Sequence, residues 1–133
     1  MWEVEEIPDS ANLFLRVHVD LVPDGDLHPG IFREHHGAMS VDWDKYSTAE
    51  ASRARAKHPE RNGIVALVAG GVRTIDDLQV RHEPDERREN RAHSNVHGID
   101  DPAAANPAVR KTMIRAELFK QFNKWTIEPN EPI

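Results

Sequence analysis

Cysteine is absent from the 133-residue chain. Disulfides, thiolate nucleophiles and cysteine-ligated zinc are therefore excluded. Long apolar runs are also lacking. The longest, Ile64 to Ala69, falls far short of the roughly 20 residues that a bilayer-crossing helix needs. The start, Met1-Trp2-Glu3-Val4-Glu5-Glu6, has neither the basic nor the apolar segment of a signal peptide. These features predict a cytoplasmic protein with no membrane attachment. Positive charge is scarce: 17 Lys and Arg stand against 23 Asp and Glu, a net charge of −6. General coating of nucleic acid needs a cationic surface to displace counterions, so that role is excluded. A local basic groove remains compatible with the composition. No glycine-rich phosphate loop occurs, because Gly70-Gly71 lacks both the Lys-Ser/Thr partner and the GxGxxG spacing. Ser40 is followed by Val41-Asp42 without the Gly-x-Ser-x-Gly elbow of hydrolases.

Histidine, by contrast, is plentiful, with eight residues. The length suits one domain able to bury its own core. We read residues 1–133 as that single domain, with 1–11 and 126–133 as loose extensions. Asn12 to Asp20 is the clearest strand: Leu13, Leu15, Val17 and Val19 alternate with Phe14, Arg16, His18 and Asp20. Pro23-Asp24-Gly25-Asp26 is a turn. Phe32 is a core anchor. Met39, Val41 and Trp43 alternate with Ser40, Asp42 and Asp44, which predicts a second strand. Ile64 to Ala69 reads as the most buried strand, covered on both faces, and Gly70-Gly71 as a tight turn. Leu78 to His82 is a further strand by alternation. Glu83 to Glu89 is a loop of mixed charge, and Asn90 to Gly98 continues it.

Two helices are expected. Ser47-Thr48-Ala49-Glu50 has the capping-box pattern and predicts a short central helix to about His58. Pro59 stops it. The cations near its end, Arg55 and Lys57, are accounted for by the helix macrodipole. Asn106-Pro107 starts a long C-terminal helix to about Asn123. Ile114, Leu118 and Phe122 form one apolar stripe on it, and Val109, Met113 and Ala116 form a second row. Such a helix is either deeply packed or shared with a partner. Deep packing is the expectation. The sum is an α+β domain with a small, mostly antiparallel sheet, a short central helix and a long C-terminal helix.

The chemistry-bearing residues suggest a polar cleft. Arg16, His18 and Asp20 share the polar face of the first strand. Ser40 and Asp42 share that of the second. Asn90, Arg91 and His93 lie on the following loop. Guanidinium groups can hold phosphate or carboxylate bidentately, and His18 with His93 can serve as acid and base. The expected ligand is small and anionic or nucleotide-like. A metal site is not assigned: His93 and His97 have helical i, i+4 spacing, but Ser94-Asn95-Val96 before Gly98 is a poor helix. His97 is expected to be a bystander. The alternative is a non-enzymatic interaction module, of accessory or immunity type. It would meet a protein partner or a second copy through the C-terminal helix and the tryptophans Trp2, Trp43 and Trp125.

The order Arg16-x-His18, Phe32, Ser40-Val41-Asp42, Ser47-Thr48-Ala49-Glu50, Val72-Arg73 and Asn90-x-Ala92-His93 with Gly98 resembles a group of small uncharacterised bacterial proteins. The resemblance covers most of residues 7–100. It implies a bacterial cytoplasmic protein and lends no catalytic assignment and no cofactor.

Overall fold

A computed structural model describes residues 1–130. The chain forms five strands: β1 (Asn12–His18), β2 (Ala38–Trp43), β3 (Asn62–Val68), β4 (Gln79–His82) and β5 (His93–His97). They make one sheet in the order β3-β1-β2-β5-β4, with every neighbouring pair antiparallel. The helices are α1 (Ala49–Ala54), α2 (Ala69–Arg73) and α3 (Pro107–Gln121). This is the α+β architecture expected from the pattern. No described helix is long and apolar enough to cross a membrane.

The sheet's two faces differ because side chains alternate along each strand. One face carries Leu13, Leu15, Val17, Met39, Val41, Trp43, Val65, Leu67, Val80 and Val96, all buried in one apolar cluster. Ile114 and Leu118 of α3 and Phe122, just after it, complete that cluster at the predicted i, i+4 spacing, together with Phe32 and Ile99. The opposite face carries Arg16, Ser40, Asp42 and His93. There the short helix α1 packs beside β1 and β3.

Several elements differ from expectation. Asn90–Gly98, whose sequence predicts a loop, contains β5, an inner strand paired with both β2 and β4. Its inward residues are Ser94 and Val96. Ser94 is fully buried and donates its hydroxyl to the Ala92 carbonyl at 3.0 Å, so a polar letter sits at a core position. α1 ends at Ala54, before His58, and its cap is Thr48, whose hydroxyl accepts from the Ala51 N–H at 3.0 Å. The bend begins ahead of Pro59, which disfavours helical backbone at the residue before it. Gly70-Gly71 lies inside α2 rather than in a turn. A Cβ on Gly70 would meet Asp9, and one on Gly71 would meet Gln121 and Phe122. The glycines thus let two distant segments close onto this short helix.

β3 is an edge strand rather than a central one. Its edge is covered by the chain's own tail. The Ile64 N–H donates to the Ile127 carbonyl at 2.8 Å, and the Thr126 N–H donates to the Ile64 carbonyl at 2.7 Å. The extension expected to be loose after residue 125 is therefore tied at Thr126 and Ile127, while Pro132 lies outside the described residues. The leading extension is also anchored: Ile7 is buried, and the Glu5 N–H donates to His82 Nδ1 at 3.0 Å. His82 Nε2 donates to the Arg91 carbonyl at 2.7 Å, so both ring nitrogens are committed. The second apolar row of α3 is not deeply packed. Val109 is 59% and Met113 63% exposed.

Gly63 is what lets the tail lie so close. A Cβ there would stand 2.4 Å from Trp125 and 2.6 Å from the Ile127 carbonyl oxygen. Gly63→Ala is expected to destabilise the fold by about 1–3 kcal/mol, as overpacking does, and to displace Trp125. Urea denaturation and tryptophan fluorescence check both effects. Unchanged stability with unchanged fluorescence would contradict this account of the tail.

Candidate functional site

Asp42 is 4% exposed and sits on β2 with Phe14 of β1 on one side and His93 of β5 on the other. Burying a carboxylate is costly unless its oxygens find donors. Here they find three. Ser52 Oγ of α1 donates to Oδ2 at 2.6 Å, and Arg55 Nη1 donates to the same oxygen at 3.1 Å. Asn90 Nδ2 donates to Oδ1 at 2.9 Å. Arg55 also donates to Ser47 Oγ at 3.0 Å, and Asn90 Oδ1 accepts from the Ala92 N–H at 3.1 Å. Asp42 lies at the floor, lining a small recess with Phe14, Arg16, Ser40 and His93, and its lone pairs are taken by α1 and by the loop before β5.

Above this anchor is a cleft of about 330 Å³. Its sheet wall is built by three neighbouring strands, which place Arg16, Ser40 and His93 on one face. Its other wall is Arg55, Asn90 and the loop residues Asp85 and Arg88. That loop is closed by a backbone pair between Asp85 and Asn90, at 2.9 and 2.8 Å. Arg16 is exposed and donates to the Ser52 carbonyl at 3.3 Å. Three guanidinium groups therefore border one concavity, against a single lining carboxylate, Asp85.

His93 has a defined orientation. Its Nδ1 lies 2.7 Å from the Glu83 carbonyl oxygen, and its Nε2 faces Ser40 Oγ at 3.4 Å. Glu83 continues this network. Its Oε1 accepts from Asn95 Nδ2 at 2.6 Å and from His97 Nε2 at 2.9 Å. Burial pushes the Glu83 carboxyl up, but the hydrogen bonds from Asn95 and His97, with the charges of His97 and Arg81, outweigh it. The net effect holds the group below its ordinary 4.5. His97 is a partner of Glu83 and is not among the residues that line the cleft.

The structure brings together Arg16, Ser40, Asn90 and His93, with Asp42 beneath them. It does not bring His18, Asp20 or Arg91 to the cleft. β1 pairs with β2 only at Leu13 and Phe14, and beyond that point its ladder is with β3 alone. His18 lies on that diverging end, where its Nδ1 accepts from the Asp20 N–H at 3.0 Å. The acid–base pair of His18 and His93 is consequently not assembled. Asp20 is exposed and pairs with Arg61 at 3.4 Å. Arg91 turns away, its guanidinium 4.2 Å over the Tyr46 ring and 3.9 Å from Glu5 Oε2. Glu5 also accepts from Lys45 and Tyr46, and these bonds lower its carboxyl and raise the Lys45 ammonium.

Arg55, Arg88 and Asp85 were not foreseen at the site. Arg55 reads from sequence as a dipole-compensating cation, and Arg88 as part of a mixed-charge loop. Arg55 is the C-cap of α1, in helical backbone and three residues after Ser52, so both reach Asp42 from one side of the helix; the helical spacing does not name the carboxylate they meet. Among the described residues no group of three or more His, Asp or Glu is placed to hold a metal ion. No protein-family model, curated protein or solved structure matches the chain.

Removing the anchor should cost far more than removing a surface carboxylate. Asp42→Ala leaves Ser52, Arg55 and Asn90 without their acceptor and is expected to cost about 3–5 kcal/mol. Asp20→Ala is expected to cost about 1 kcal/mol at most, since Asp20 is 76% exposed. Equal losses in chemical denaturation would refute the anchor role.

Proposed function

We propose that the cleft binds a small anionic ligand of phosphate or nucleotide type. The observation that carries this reading is the convergence of Arg16, Arg55 and Arg88 on one concavity whose only lining carboxylate is Asp85. Guanidinium is the side chain best shaped for phosphate and carboxylate, because its planar fork donates two parallel bonds. Arg55 is oriented in advance by Asp42 and Ser47, so less freedom is lost when it takes a ligand. A volume of about 330 Å³ lies at the small end of the ligand-pocket range, which suits a phosphate with one attached group. Ser40 and Asn90 add neutral polar contacts. His93 is the residue placed for proton transfer. The reading also places the protein in the cytoplasm of a bacterium, in keeping with the cysteine-free chain and with the resemblance drawn from its motifs.

Titration calorimetry with adenosine monophosphate, pyrophosphate and inorganic phosphate tests this. Binding is expected for at least one of them. Arg16→Ala should weaken it about tenfold or more, the worth of a charge-assisted bond. Absence of binding by all three, or an Arg16→Ala protein with wild-type affinity, would sink the proposal.

A second reading is contact between two copies through α3. It is favoured by the exposure of Val109 and Met113, which border a groove of about 650 Å³ beside Ile75 and the Asp76–Arg110 ion pair at 2.8 Å. The tryptophans contribute less than anticipated. Trp43 is buried in the core, and Trp125 packs against Gly63. Sedimentation equilibrium is expected to show a dimer that the double variant V109D/M113D disperses. A wild-type monomer at every concentration would exclude this contact.

A further inference from the structure

The orientation of His93 narrows the class of anion. The Glu83 carbonyl oxygen, 2.7 Å from Nδ1, can only accept, so Nδ1 carries the proton of the neutral ring. Nε2 is then a lone-pair acceptor, and it faces the cleft beside Ser40. Ser40 does not satisfy it fully. Asn95 spends its amide N–H on Glu83 at 2.6 Å, which leaves its Oδ1 turned to Ser40 Oγ at 3.4 Å. One hydroxyl proton therefore faces two acceptors, each at 3.4 Å, well beyond the usual 2.7–2.8 Å for a hydroxyl donor to oxygen. An acceptor is left over at His93 Nε2, whereas the Asp85 carboxylate is already met by Arg88.

We infer that the ligand supplies an O–H to His93 Nε2 while the guanidinium groups take its charge. The cleft thereby selects an oxyanion that bears a hydroxyl over one that does not. Hydrogen phosphate and a sugar phosphate meet that requirement, whereas sulfate offers only acceptors. The lone pair of Nε2 would repel a sulfate oxygen and be left unpaired beneath it, which is the more costly outcome for a sheltered polar group. This inference rests on the anion-binding reading of the cleft and adds to it the proton that the ligand must carry.

The test is calorimetry on the full chain at about pH 8, where imidazole is ordinarily neutral. The probes form two pairs: inorganic phosphate against sulfate, and ribose 5-phosphate against methyl phosphate. At least one hydroxyl-bearing probe is expected to bind about tenfold or more tighter than its counterpart. Preference in the first pair assigns the hydroxyl to phosphate itself, and preference only in the second assigns it to the sugar. His93→Ala should abolish the preference, by weakening the hydroxyl-bearing probe and by relieving the repulsion of sulfate. The imidazole ¹⁵N spectrum of the wild-type protein supplies a readout independent of that variant's folding, and an Nε2–H tautomer would overturn the inference. Equal affinities within both pairs would overturn it while leaving the anion site intact. Absence of any binding would remove the anion site and the inference together.

Discussion

The buried Asp42 carboxylate is the constraint on which the polar half of the molecule depends. An unpaired charge at that depth would be prohibitive. Ser52 and Asn90 must therefore come to it from two different segments, and Arg55 closes over it. Those three contacts dock α1 on the sheet and hold the end of the loop that leads into β5. Shape and charge in the cleft are consequences of this one requirement. Removing Asp42 would do more than delete a negative charge, because Arg55 would lose its fixed direction and Asn90 its reason to turn inward.

The sheet is thus bound together differently on its two sides. One side is held by close-packed Leu, Val, Ile and Phe against α3, where burial of apolar area does the work. The other is held by a small number of directed bonds to one anion. The first arrangement tolerates volume-conserving exchanges. The second does not, since Ser52, Arg55 and Asn90 all depend on the one carboxylate of Asp42. A site built over the second side inherits its rigidity, and Arg55 is the clearest case.

Much of the apolar side was legible from alternation and helical spacing. Leu13, Leu15 and Val17 lie where a period of two places them, and Ile114, Leu118 and Phe122 where i, i+4 places them. The strand β5 was not legible, because Ser94 occupies a core position and only Val96 marks the inward face. The cleft was legible in part. Arg16, Ser40, Asn90 and His93 meet because β1, β2 and β5 are neighbours, although the pattern around His93 reads as a loop. His18 fails to join them because β1 parts from β2 after Phe14, and nothing in the periodicity of residues 12–20 encodes that divergence. Arg55 was hidden for a related reason: its role depends on a carboxylate from another element, Asp42 of β2.

The tail at Thr126 and Ile127 has a consequence for how copies of this chain meet one another. An edge strand with free N–H and C=O groups is a template for strand addition by a neighbour and a starting point for aggregation. β3 is rich in β-branched residues and lies at such an edge. By taking both backbone groups of Ile64, the tail occupies the place a foreign strand would need, and Trp125 on Gly63 keeps it there. The segment at Thr126 and Ile127 therefore works as a guard against misassembly, and its hold depends on the missing side chain of one glycine.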